Sequence, residues 1–345
     1  MDMPAAIQHV LNRQDFSSEQ MIEIMQLIMT GQATASQIGG FLIGLRMKGE
    51  NSTEIAAAAK VMRQLSTKVN VDKHHLVDTC GTGGDSSGTF NVSTATAFVV
   101  AAAGGRVAKH GNRSVSSQSG SADVLEAAGV NLDLNPDQVA KCIDTIGIGF
   151  LFAQKHHSAM KHAIMPRKEM AVRTIFNLLG PLTNPADAPF QVLGVFDRAW
   201  LMPMAKVLKT LGSQHVMVVH AEDGLDEISI AASTNVVELK QGLISEYQIS
   251  PEDFNLSRSS LDDIRVSTAQ ESLELIQAAF KSNGNTIDTR TKAARNIIAL
   301  NAGAALYVSG LENNLQTGIK TALDVMHSGK ANKKLNELIN QSNRY

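Results

Sequence analysis

The sequence predicts an α/β protein in two parts, a small all-helical domain and a larger α/β domain with a mostly parallel central sheet. Three observations carry this expectation. Residues 1–72 set apolar side chains at helical spacing between capping residues. From residue 74 short apolar strands, polar or glycine-rich loops and helices alternate, the pattern of βαβ units. The 345 residues also exceed what one core ordinarily holds.

The elements follow in order. "SSEQMIEIMQLIM" opens on Ser17 as N-cap with Gln20 at the capping-box position, and sets Met21, Ile24, Met25 and Ile28 on one face before Gly31 stops it. "TASQIGGFLIGLRMKG" and "NSTEIAAAAKVMRQL" repeat the scheme, with Gly49 ending one helix and Asn51 capping the next. So small a helical unit needs a neighbour over its apolar faces, and a dimer contact is one way to supply it. "HLVDT" is then a strand, a Gly-rich loop follows, and "STATAFVVAAAGG" is a helix closed by Gly104 and Gly105. "RVAKH", a Ser-rich loop and "SADVLEAAG" repeat that unit, and "PDQVAKCIDTIG" with "IGFLF" adds a helix and a strand. Residues 154–180 return to helix until "PLTNPADAP" breaks it. Residues 163–190 are assigned to the helical domain, leaving 73–162 and 191–345 as the α/β domain. "FQVLGVF", "LMPMAKVLKTLG" and "HVMVVH" resume strand, helix, strand. "SLELIQAAF" and "RNIIALNAGAALYVSG" are later helices, the second apolar almost all round and therefore buried.

Composition narrows the function. A formal charge of −2 offers no basic surface, so neither nucleic acid nor a membrane is an expected partner. Cys80 and Cys142 stand outside any CxxC pattern, which argues against a disulfide framework or a zinc site and for a reducing compartment. The N-terminal apolar run is too short for a signal peptide, and no run approaches the ~18 apolar residues of a membrane span. A cytoplasmic location is expected.

Two loops concentrate the chemistry. In "GTGGDSSGTFNVST" the glycines from Gly81 to Gly88 let backbone N–H groups converge on an anion, and the next helix offers its N-terminus with Asn91, Ser93 and Thr94 as further donors. The dinucleotide pattern GxGxxG fails at Ser86, and the P-loop pattern fails at Thr89, which replaces its lysine. On spacing alone, a turn without a ligand stands as the alternative. The second loop crowds Lys109, His110, Asn112, Arg113, Ser114, Ser116, Ser117, Ser119 and Ser121 into one connection, and the two together suit a ligand with phosphates at both ends. In "AEDGLDEIS" the acids read as a solvated loop by themselves. Beside a polyphosphate, Asp226 and Glu227 become a magnesium site, with the Ser93 hydroxyl as a further ligand.

Taken together, "GTGGD", "NVST", "KHGNRSVSS", "SADVLE", "MPRKEMAVRTIFNLLGPLTNP" and "GLDEIS" resemble the anthranilate phosphoribosyltransferases of tryptophan biosynthesis, in one order over about residues 5–340. The resemblance implies the nucleoside phosphorylase/phosphoribosyltransferase type of fold, two hinged domains and a homodimer through the helical domain. It implies 5-phosphoribosyl 1-diphosphate (PRPP) and anthranilate as substrates and Mg2+ as cofactor. By matching motifs, PRPP falls to Gly81, Gly84, Asp85, Thr89, Asn91, Val92, Ser93 and Thr94, and to Lys109, His110, Gly111, Asn112, Arg113, Ser114, Val115, Ser116, Ser117 and Ser121. Anthranilate falls to Gly81, His110, Asn112 and Arg167, and the metal to Ser93, Asp226 and Glu227. No acid or base side chain is implied. Arg167 is expected at a helix start, where its planar fork suits a benzoate carboxylate; without the resemblance a surface ion pair is the simpler reading, and Arg173 is the decoy. Gln154 and Ser158 stand where the family commonly has proline. His156, His157 and His162 read as polar packing rather than a metal site. A pyrimidine nucleoside phosphorylase shares the fold but does not need "KHGNRSVSS", and a nucleic-acid-binding relative would be basic.

Overall fold

The computed structural model describes residues 1–85, 87–114, 119–281 and 288–345. Four helices open the chain: α1 (Met3–Leu11), α2 (Ser18–Met29), α3 (Ala35–Lys48) and α4 (Ser52–Leu65). Each starts on a side-chain cap, from Asp2, Ser17, Thr34 and Asn51, and in the last three Gln20, Gln37 and Glu54 return the bond. Their stripes bury Met21, Ile24, Met25 and Ile28 against Phe41, Leu42 and Leu45. Inside this bundle Glu54 is fully buried. Its carboxylate accepts the Phe16 N–H at 3.0 Å, the Asn51 N–H at 2.9 Å and the Lys48 ammonium at 3.0 Å.

The α/β part begins with β1 (Leu76–Asp78), α5 (Val92–Ala102), β2 (Arg106–Gly111), α6 (Ser121–Ala127), α7 (Pro136–Ile146) and β3 (Ile148–Phe152). Next come α8 (Ala153–His156), α9 (Lys161–Met170) and α10 (Phe176–Leu179). Continuous helix over 154–180 is corrected here. Ala171, left-handed at φ 51°, ends α9, and residues 171–175 part it from α10. The interrupted stretch still feeds the bundle: Ala163, Ile175, Phe176 and Leu179 join its core.

Then follow β4 (Phe190–Gly194), α11 (Leu201–Thr210), β5 (His215–Ala221), β6 (Thr234–Lys240), β7 (Leu243–Ile249), α12 (Ala269–Phe280), α13 (Thr289–Val308), α14 (Leu315–His327) and α15 (Lys330–Ser342). As expected, α13 is buried along nearly its whole length. The strands make one sheet in the order β3-β2-β1-β4-β5-β6-β7, parallel from β3 through β5 and antiparallel beyond. Alternate residues of β5 face opposite layers: Met217 and Val219 pack with α5 and α13, Val216 and Val218 with α11 and the helical bundle. The bundle core thus runs on into one face of the sheet.

Two predictions follow from these interiors. Glu54→Ala leaves the Lys48 ammonium and two backbone N–H groups without their buried acceptor, and should cost about 3–5 kcal/mol in urea unfolding. Burial, then the neighbouring His156, pushes the His157 imidazole down to about 4 from the ordinary 6.5. A folded value below the unfolded one stabilises fully above pH 6.5 and loses that stability as pH falls toward 4. The effect is roughly 3 kcal/mol. The urea midpoint of His157→Gln should therefore fall less between pH 7 and 4.5 than that of the parent protein.

Candidate active site

Strand order reverses at β1, which lies between β2 and β4; in open α/β sheets ligands bind at such a point, beyond the carboxyl ends of the strands. The first glycine loop leaves β1, the serine-rich loop leaves β2, and the acidic loop leaves β5.

The acidic loop and the first glycine loop interlock. The Gly83 N–H donates to Asp226 Oδ2 at 2.7 Å, the Thr82 N–H to the Gly194 carbonyl at 2.9 Å, and the Phe196 N–H to Thr82 Oγ1 at 3.1 Å. Gly194 is required by close approach, since a Cβ there would lie 1.5 Å from the Asp226 carbonyl oxygen. Gly83 and Gly84, at φ 68° and 80°, turn the loop over this contact. Asp85 lies beside Asp226, and Glu227 is near enough to feel the Asp226 charge. Burial first, then Asp85, raises the Asp226 carboxyl above its usual range; burial first, then Asp226, raises the Glu227 carboxyl well above its own. The Ser93 N–H, in the first turn of α5, donates to Glu227. Ser93, Asp226 and Glu227 are therefore brought together, with Asp85 as a fourth member. Mutually repelling carboxylates, all offering oxygen and partly open to solvent, fit a hard divalent cation such as magnesium.

The serine-rich loop is held at its neck. Asp123 Oδ2 accepts from the N–H of Ser114 at 3.1 Å and of Gly120 at 2.8 Å, and a Cβ on Gly120 would meet Ser114 N at 2.4 Å. Arg113, in the loop, is engaged by α6, donating to Glu126 at 2.7 and 2.8 Å and to Asp123 at 3.1 Å. Lys109 is buried, its ammonium donating to the carbonyls of Thr79 at 3.1 Å and His110 at 3.2 Å. Asn112 is exposed and accepts the Arg113 N–H at 2.8 Å, while Ser121 donates to its carbonyl at 3.4 Å. Gly111, the last residue of β2, has no room for a side chain beside the Ser121 hydroxyl. Val115, Ser116 and Ser117 lie outside the described residues.

Asn91 joins the two loops. Its amide donates to the Ser119 carbonyl at 3.2 Å, and its Oδ1 accepts from Ser119 at 3.0 Å and Ser272 at 2.8 Å. Ser272, on α12, has no signal in the sequence; a serine inside an amphipathic helix is indistinguishable from a neutral filler. Thr89 pairs with Ser87 at 3.1 Å, Val92 is buried, and the Thr94 hydroxyl is buried without a partner among the described residues. Gly81 stands over Asp226, where a Cβ would come within 3.0 Å of Oδ2.

Arg167 lies in the last turn of α9, which corrects the expected helix start: Pro166 is inside the helix. The guanidinium sits 5.1 Å from the Phe176 ring centroid, is partly desolvated, and forms no ion pair among the described residues. His110 is buried against the His157 ring at 5.2 Å; burial, then His157, holds it well below the ordinary imidazole value, so it is neutral. The decoy has its own place. Arg173 stacks over Phe196 at 4.1 Å and donates to the Gly84 carbonyl, while Arg46 of α3 donates to the Arg173 carbonyl at 2.6 Å. A strap thus runs from the helical bundle to the first glycine loop, invisible in sequence because Arg46 and Arg173 are far apart in the chain.

Known proteins carry the same architecture. Residues 4–66 match the family model described as glycosyl transferase family, helical bundle domain, and residues 73–332 the one described as glycosyl transferase family, a/b domain. The anthranilate phosphoribosyltransferase of Marinomonas sp. (strain MWYL1) is 61% identical over 338 residues, 98% of this chain and 96% of that one. That of Teredinibacter turnerae is 58% identical over 99% of this chain and all of its own. Among solved structures, the enzyme of that name from Thermus thermophilus matches at TM-score 0.91 and 39% identity, over 98% of this chain and 99% of that one. The one from Saccharomyces cerevisiae in complex with PRPP and Mg matches at TM-score 0.90 and 26% identity, over 99% of this chain and 98% of that one. Matched end to end in sequence and in fold, the chain belongs to the anthranilate phosphoribosyltransferase family.

Proposed function

We propose that the chain transfers the phosphoribosyl group of PRPP to the amine of anthranilate, giving N-(5-phosphoribosyl)anthranilate and pyrophosphate, the second step of tryptophan biosynthesis from chorismate. The observation that carries this is the meeting of Asp85, Asp226 and Glu227 with a glycine loop and a helix N-terminus at the sheet's reversal point. The whole-length relatives favour it over nucleoside phosphorolysis.

In this reading PRPP lies along the first glycine loop and the start of α5, and reaches the serine-rich loop. Anthranilate lies at Gly81, His110, Asn112 and Arg167. Its aromatic amine is neutral at pH 7 with a free lone pair, so the site supplies no base. Loss of pyrophosphate is the hard step, building positive charge on the ribose and negative charge on the leaving group. Loop N–H groups and the α5 terminus stabilise the negative charge, and positioning supplies much of the rest. Ser93, Asp226 and Glu227, with Asp85 beside them, would hold magnesium, which when bound would neutralise charge on the diphosphate. The Arg167 fork pairs with the anthranilate carboxylate, its plane backed by Phe176. The two domains, residues 1–72 with 163–190 and residues 73–162 with 191–345, close over PRPP; the hydrogen bond from Arg173 to the Gly84 carbonyl is a contact between them that supports the closed arrangement. Exposed Leu11 and Met47 support a homodimer through the helical domain. Two free thiols suit the cytoplasm.

The deciding assay is loss of anthranilate fluorescence on adding PRPP, with magnesium and then with chelator; magnesium-dependent loss is expected, and none from folded, magnesium-loaded protein would sink the reading. The double change Asp226→Asn, Glu227→Gln should lower the rate at limiting magnesium by about a hundredfold or more. Arg167→Ala should raise the anthranilate KM roughly 10- to 100-fold, leaving the PRPP KM in place. Sedimentation should return twice the mass of one chain.

A further inference from the structure

Behind the cleft lies a ligand set of which the transfer reaction, as proposed, uses only His110. Asp78 at the end of β1, Cys80 two residues on, and His110 near the end of β2 each bring a ligand atom within 4.8 Å of the other two. Asp78 and His110 are 1% and 3% exposed, and Cys80 is half-buried. Among the described residues neither ring nitrogen of His110 makes a hydrogen bond of ordinary geometry, and only the Gly180 carbonyl lies near enough to act on the ring. One ring N–H can turn to that carbonyl, which leaves the lone pair of the other nitrogen buried and unused. The Asp78 carboxylate is already aimed, accepting from Asn184 Nδ2 at 2.7 Å and from the His110 N–H at 3.2 Å. Oriented carboxylates of this kind tune a bound ion.

We infer that Asp78, Cys80 and His110 form a second metal site, beside the carboxylate cluster but sharing none of its residues, for a borderline-soft divalent ion of the zinc class. One sulfur, one imidazole nitrogen and one carboxylate oxygen are the donors such an ion prefers, whereas magnesium takes oxygen alone. Three protein donors leave a fourth position open to water. Binding replaces the Cys80 S–H bond by a sulfur–metal bond, and the proton passes to water. The Lys109 ammonium, donating to the carbonyls of Thr79 and His110, opposes a second positive charge nearby, so the ion is one acquired from solution and released again. Occupation holds His110 back from the cleft and inhibits the enzyme. That consequence rests on the reading of His110 as part of the anthranilate site; the binding itself does not.

The test uses the full chain with saturating magnesium. Added Co2+ should produce a near-ultraviolet thiolate-to-cobalt band, abolished by one equivalent of Zn2+. Zinc should inhibit transfer, with relief by anthranilate and not by magnesium. Cys80→Ser should lose the band and need about tenfold more zinc for inhibition, while Cys142→Ser, remote and buried, keeps both. No cobalt band, or a band that survives in a folded Cys80→Ser protein, overturns the site. A Cys80-dependent band in a protein that never consumes anthranilate supports the site and rejects the functional reading instead.

Discussion

The contact between Asp226 and the first glycine loop is the constraint on which the rest of the site depends. Its carboxylate takes the Gly83 N–H, and its own carbonyl lies where any side chain on Gly194 would have to go. One residue therefore sets the spacing of the connections after β1, β4 and β5. It does so while its carboxyl is held against Asp85 and Glu227, which raises the energy of the ionised cluster. A scaffold that gathers negative charge this closely is strained without a cation and relieved with one.

The same economy governs the neighbouring loop. Asp123 closes its neck with two backbone N–H groups, and Arg113 is turned back onto Asp123 and Glu126. The motif "SADVLE" thus acts on the loop from behind, through its carboxylates. Asn91 then ties this loop to α5 and α12. The two loops are parts of one hydrogen-bonded frame, to which Arg173 adds a link from the helical bundle.

Much of the fold is legible in the sequence because it is local. Capping boxes at Ser17 and Asn51 and the stop at Gly49 appear where caps and glycine require them. Each βα unit from β1 to β3 shows a short apolar strand, a loop and a helix. The β6–β7 hairpin has only a faint signal in the sequence, Gly242; the structure makes Gln241 and Gly242 the two-residue turn, both at positive φ, 51° and 79°. β7 is mostly exposed and polar, so alternation there is faint. Helix is not continuous through 154–180: it breaks after His156, resumes at Lys161 and ends at Ala171, a residue with no intrinsic preference for the left-handed region.

By itself the sequence determined the helical caps, the strand–loop–helix rhythm, the two anion-seeking loops and the acids of the third, because each depends on neighbours a few residues apart. Only the tertiary structure decided which of those groups meet. Asp85 joins Asp226 and Glu227, Lys109 turns inward, Arg113 is spoken for, Arg173 reaches Gly84, and Asp78, Cys80 and His110 converge. The physical reason is the sheet: parallel strands bring the ends of distant segments together, and their order, which no local pattern encodes, selects the pairs.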